Sequence, residues 1–126
     1  SMIEKETGTA EDRPLIAGVF HNRLRLGMKM QSDPTVIYGI SKFDGNLTRK
    51  HLETPAPFNT YTEMGLPPTP ISNPGWDSLH SALQPASVKY LYFVARGDGS
   101  SAFSRTLREH QRAVWKYQVQ PHRNSR

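Results

Sequence analysis

Two glutamates, Glu4 and Glu6, stand two residues apart in "EKET", near the start of a 126-residue chain. A carboxyl group can serve as a general acid when a cleft shelters it and holds its proton near neutral pH. Glutamate is also an ordinary surface residue of helices, so the pair suits a solvated helix end equally well. On a helix each residue turns by about 100°, which sets Glu4 and Glu6 about 200° apart and keeps them out of one cleft. Glu4 directly follows Met2-Ile3 and so borders the apolar side, where burial would raise its pKa. Glu6 would then face water or pair with a basic group. Asp33 is a further carboxylate that could approach this site through the fold.

Other chemistries find little support. The histidines at 21, 51, 80, 110 and 122 are scattered without metal-ligand spacing, so no bound metal is expected. No phosphate loop or dinucleotide fingerprint is present, and no cofactor is expected. "RGDGSS" follows an apolar run and leads into another, which suits a hairpin turn and not a phosphate cradle. No serine lies in a G-x-S-x-G context. The absence of cysteine removes thiol nucleophiles and disulfides.

These residues must be carried by one domain, 1–126, long enough to bury a core. The 36% apolar content is low and Gly and Pro are abundant, which points to long ordered loops around a modest core. A net charge of +5 favours polyanionic partners: nucleic acid, anionic lipid or the acidic polymers of a bacterial wall. Arg105, Arg108 and Arg112 can share a helical face, but no nucleic-acid motif accompanies them, and nucleic acid is not expected as a partner. No apolar run approaches the length of a membrane span.

Met2 to Thr7 reads as the tail of a helix broken at Gly8. Leu15, Ile16, Val19, Phe20 and Leu24 repeat at helical spacing after Asp12 and Pro14, a cap and a first-turn proline, and Gly27 ends that helix. Met28 to Gln31 alternates like a short strand. Asp33-Pro34 opens a short helix that stops at Gly39, and one helical turn is expected after Thr48. Ten prolines in all, concentrated between Thr54 and Pro74, rule out regular structure there. Phe58, Tyr61, Met64, Leu66 and Ile71 make that stretch a packed loop, not a linker. A helix over Trp76–Leu83, a strand over Tyr90–Ala95, a returning strand at "AFS" and a helix from Thr106 to Tyr117 complete the chain. The fold class is α+β, with several helices around a small antiparallel sheet and a long ordered Pro-rich loop.

Five segments then fall in a telling order: "IEKETG", "EDRPLIAGVFHNRLRLGMKMQSDPTVIYGI", "NTYTEMGLPPTPISNPG", "YLYFVARGDGSSAFS" and "LREHQRAV". Together they resemble the MltG (YceG-like) endolytic murein transglycosylases from Ile3 to about Lys116. The resemblance implies that Glu4, the first Glu of "EKET", is the catalytic acid, with Glu6 as structural support. It implies non-hydrolytic cleavage of peptidoglycan glycan strands between N-acetylmuramic acid and N-acetylglucosamine. Glu4 would protonate the glycosidic oxygen, then take the proton of the muramoyl C6 hydroxyl as this attacks C1 and closes a 1,6-anhydro ring. One residue acts as acid and then base, unlike the carboxyl pair of most glycoside hydrolases.

The matching segments also offer Gln31, Asp33, Thr35 and Tyr38, with Asn59, Thr60 and Tyr61, as residues to line the cleft and bind sugar. Tyr61 could stack on a sugar face. Each has a plainer reading as a cap, core or turn residue. The resemblance implies work at the extracytoplasmic face of the bacterial inner membrane, with penicillin-binding proteins of the cell-wall synthesis complex as expected partners. Family members carry a membrane anchor and a further domain ahead of "EKET"; these 126 residues contain neither, so membrane contact would be through that anchor. The competing reading is a non-catalytic glycan-binding module in which Glu4 is idle.

Overall fold

The computed structural model describes residues 1–6 and 9–120. The break expected at Gly8 and the basic tail from residue 121 lie outside them. Among the described residues six α-helices and a two-stranded antiparallel sheet make an α+β fold.

Helix α1 (Met2–Glu6) has only five residues, too few to be stable alone. Met2 and Ile3 hold it in the core, packed with Ile16, Ala17 and Phe20 of α2 (Arg13–Leu26), Met30 and Ile71. α2 ends at Gly27, which takes a left-handed φ of 71°, and the Met28 N–H reaches back to the Arg23 carbonyl at 2.9 Å. Asp12 does not cap α2 with its side chain. Its Oδ2 instead accepts the backbone N–H of Ser101 at 2.8 Å, tying the start of α2 to the hairpin.

Met28 to Gln31 is not a strand. Among the described residues strands pair only in the hairpin, so this stretch has no ladder to join. Met30 is buried in the core, and the Gln31 N–H donates singly to the Thr60 carbonyl at 3.2 Å. Helix α3 (Asp33–Tyr38) follows, then α4 (Arg49–Glu53). Thr48 and His51 close the start of α4 reciprocally, side chain to backbone in each direction. The Pro-rich loop is ordered and its Ile71 reaches the core. Helix α5 (Trp76–Leu83) leads to strands β1 (Tyr92–Ala95) and β2 (Ser101–Ser104), in register with Phe93 opposite Phe103. Helix α6 (Leu107–Val114) is capped by Thr106, whose side chain accepts the Glu109 N–H, and runs into a π-helical turn, Trp115–Val119. Among the described residues no helix is long and apolar enough to cross a membrane.

Gly18 lets the chain after α5 lie against α2. A Cβ there would stand 2.9 Å from the Ala86 carbonyl oxygen and 3.0 Å from Val88 Cγ2. Gly18→Ala gains about 1 kcal/mol of helix propensity. The clash with backbone is expected to outweigh this, for a net loss of about 1–2 kcal/mol in chemical denaturation.

Candidate active site

A cleft of about 390 Å³ opens where the end of α1 meets the hairpin and α6. Its walls include Glu6, Gln31 and Asp33 on one set of elements, Tyr61 from the Pro-rich loop, and Tyr92, His110 and Gln118 from β1, α6 and the π-helical turn.

Glu6 is the carboxyl group that enters it. The Ser32 hydroxyl donates to Glu6 Oε1 at 2.6 Å. Burial nevertheless pushes the Glu6 pKa up to about 7, against the effect of that hydrogen bond and with the Asp33 charge adding to the rise. Asp33 is the first residue of α3, and its carboxylate accepts a hydrogen bond from the Tyr61 hydroxyl. Burial and Asp33 raise the pKa of that phenol, so Tyr61 remains a donor.

Arg23, buried on α2, braces the cleft floor. Its Nε donates to the Leu91 carbonyl and one terminal nitrogen to the Lys29 carbonyl, both at 2.7 Å, with Gln31 Oε1 at 3.4 Å. Its guanidinium lies over the Tyr92 ring, 5.0 Å from the centroid. Gln31, which Arg23 thereby holds, has a φ of 51°, a left-handed conformation uncommon outside glycine. The kink carries the chain from buried Met30 to exposed Gln31 and Asp33.

Glu4 is elsewhere. Its Oε1 accepts the Gly75 N–H at 2.6 Å and the Ser78 hydroxyl at 3.2 Å, and Arg13 lies 3.9 Å from Oε2. Gly75, the cap residue of α5, has no side chain of its own, so Glu4 supplies the missing cap from another helix. The Gly75 N–H foremost, then Ser78 and Arg13, hold the Glu4 carboxyl below its ordinary pKa. The expectation that burial would raise it is corrected: Glu4 is a tethered carboxylate, and the raised pKa belongs to Glu6.

The other expected residues divide. Gln31, Asp33 and Tyr61 line the cleft. Thr35 and Thr60 are buried, with their hydroxyl oxygens 2.9 Å apart, and the Ser32 N–H donates to the Thr60 oxygen at 2.8 Å. Asn59 is buried, donating to the carbonyls of His51, Leu52 and Thr54 while accepting the Tyr61 N–H. These three join the Pro-rich loop to α3 and α4, and Tyr38 packs on Phe58 outside the cleft. Thr35, Asn59, Thr60 and Tyr38, expected in the cleft wall, thus lie outside the lining of this cleft: the first three are buried and hydrogen-bonded, and Tyr38 packs on Phe58.

A model of the YceG-like family matches residues 1–116. The chain belongs to the YceG-like family. It is similar to the endolytic murein transglycosylase of Bacillus subtilis, at 45% identity over 117 residues, which are 93% of this chain and 32% of that protein. The endolytic murein transglycosylase of Streptococcus pneumoniae is 35% identical over 120 residues, 90% of this chain and 22% of that protein. The crystal structure of a yceG-like protein from Listeria monocytogenes superposes with a TM-score of 0.81 at 47% identity, over 89% of this chain and 36% of that one. The chain thus spans about a third or less of the length of these relatives.

Within this YceG-like domain, helical geometry holds the clue to Glu6. With Met2 at 0° and Ile3 at about 100°, Glu6 falls at about 40°, between the two buried residues, while Glu4 falls at about 200°. Adjacency along the chain pointed to Glu4, and adjacency around the helix points to Glu6. Arg23, Tyr92, His110 and Gln118 had no local signal, because the hairpin and α6 reach the YceG-like cleft only through tertiary packing.

The Glu4 tether has a measurable signature. A depressed pKa contributes stability that is present above the unfolded value and lost as pH falls through the folded one. Glu4→Gln is expected to melt below wild type at pH 7, and the two curves should converge in acid; thermal melts from pH 3 to 7 check this.

Proposed function

We propose that this domain is the catalytic centre of an endolytic murein transglycosylase and that Glu6 is its acid and base. The observation that carries the reading is the contrast between the two carboxyls: Glu6 faces the cleft with a pKa near 7, and Glu4 is held ionised beneath α5. A group half-protonated near neutral pH can both give and take a proton. Protonated Glu6 gives its proton to the oxygen linking N-acetylmuramic acid to N-acetylglucosamine. The C1–O bond breaks and the electron pair leaves with that oxygen. The muramoyl C6 oxygen attacks C1, and its hydroxyl proton passes to the Glu6 carboxylate. The 1,6-anhydro ring closes, Glu6 is protonated again, and no water is consumed.

Asp33 supports this cycle from the same cleft. Its charge favours the protonated form of Glu6 before reaction and offsets positive charge at C1 during it. The Tyr61 hydroxyl keeps that carboxylate in place. Relatives named as murein transglycosylases agree with a peptidoglycan substrate met outside the cytoplasm.

Mass spectrometry of purified glycan strands treated with the chain, with Glu6→Gln and with Glu4→Gln tests the reading. New 1,6-anhydro ends are expected from the chain and from Glu4→Gln, and none from Glu6→Gln. New reducing ends would overturn the anhydro route in favour of hydrolysis with Asp33 as second carboxylate. Strands bound but left intact by the wild type would favour a glycan-binding module.

A further inference from the structure

Helix α6 brings His110 into the wall of the cleft, and the mechanism above leaves it unused. Its ring stacks on Tyr92, with centroids 5.0 Å apart and planes 20° from parallel. Nδ1 is shut off from solvent and has no hydrogen-bond partner. Nε2 is not shut off in this way, and among the described residues it has no hydrogen-bond partner either. Burial first, and the Arg23 charge second, push the imidazole pKa down, so the ring is neutral at pH 7. A neutral ring carries one N–H, and a buried N–H without an acceptor is rarer than an unused lone pair. The proton therefore sits on Nε2, the accessible nitrogen. The outcome is an uncharged donor on the cleft wall, in a ring stacked on Tyr92 and without a hydrogen-bond partner among the described residues.

We propose that His110 is a substrate-binding residue whose Nε2–H donates to the acetamido carbonyl oxygen of an N-acetylated sugar. The acetamido carbonyl is carried by every sugar of the strand and is a stronger acceptor than the hydroxyl and ring oxygens, and Gln31 and Gln118 line the same cleft. The proposal rests on the glycan reading of the cleft given above and adds the group by which a sugar is held. Tyr92 fixes the ring plane, so the donor needs no ordering when the sugar arrives.

Binding is measured in the Glu6→Gln background, where cleavage cannot consume the ligand, with stem-free glycan strands as the probe. His110→Phe keeps the ring stacked on Tyr92 and removes the N–H. It is expected to weaken binding about tenfold, the scale of one hydrogen bond, with an unchanged melting temperature. On strands chemically de-N-acetylated the same substitution should make no difference. Equal affinity of His110→Phe and its parent for acetylated strands would overturn the role of His110. An equal loss on both kinds of strand would overturn the acetamido assignment. If no strand binds the Glu6→Gln background, the glycan reading falls and this role falls with it. Should His110→Phe melt early, the ¹⁵N resonance of His110 Nε2 in the Glu6→Gln protein decides: a shift on adding strands supports the proposal, and none overturns it.

Discussion

Replacing Glu6 by Gln is expected to cut glycan cleavage by about 10²–10⁴-fold, the usual worth of a general acid, and at the same time to make the fold more stable at neutral pH. The two effects have one cause. The Glu6 pKa is raised from 4.5 to about 7, so between those values the folded chain holds a proton that the unfolded chain has released. Stability therefore falls as pH rises through this window. At 1.36 kcal/mol per unit, the loss on passing pH 7 is roughly 3 kcal/mol. Gln does not titrate, so Glu6→Gln should match wild type below about pH 4.5 and exceed it by roughly 3 kcal/mol above pH 7. Denaturant midpoints across pH 4–8 give the stability curve. The wild-type kcat/KM should fall as pH rises through about 7, where Glu6 loses the proton that the proposed reaction draws on.

Asn59→Ala is expected to be the most damaging single change to the scaffold. Its amide group satisfies the carbonyls of His51, Leu52 and Thr54, and its oxygen takes the Tyr61 N–H. Truncation leaves several part-buried backbone groups without this partner, at up to about 1–3 kcal/mol each when unrelieved. A total of about 3–5 kcal/mol is expected from urea denaturation, a large part of a small domain's stability. Because Tyr61 hangs from this residue and holds Asp33, activity should fall even below the temperature at which the variant melts.

The elements that satisfy themselves locally were legible in the sequence. α2 announces itself through Ile16, Val19 and Phe20 at helical spacing with Gly27 at its end, and the hairpin through "YLYFVA" and "RGDGSS". Where long-range partners decide, local pattern misled. Met28 to Gln31 alternates as a strand does, but among the described residues it meets Thr60 through a single backbone hydrogen bond and joins no ladder. Asp12 and Asp33 sit where caps belong, yet their carboxylates serve Ser101 and Tyr61. That only one of Glu4 and Glu6 could enter a cleft followed from helix geometry. Which one did depended on α5, whose uncapped start claims Glu4 from seventy residues away in the chain. The roles of Thr35, Asn59 and Thr60 were hidden for a similar reason, since a buried polar residue and a ligand-binding one have the same letters.

The cleft takes Glu6 from the first helix, Tyr61 from the middle of the chain and His110 from the last helix. Contacts so distant in sequence form only after the entropy of closing the intervening loops has been met. Phe93 and Phe103 of the hairpin pack on the core around Ile16 and Met30, so the cleft that Glu6 lines is complete only once the hairpin has docked there. Nothing that the cleft does can precede these last contacts. On the reading proposed above, late assembly of the site would act as a form of restraint that needs no inhibitor.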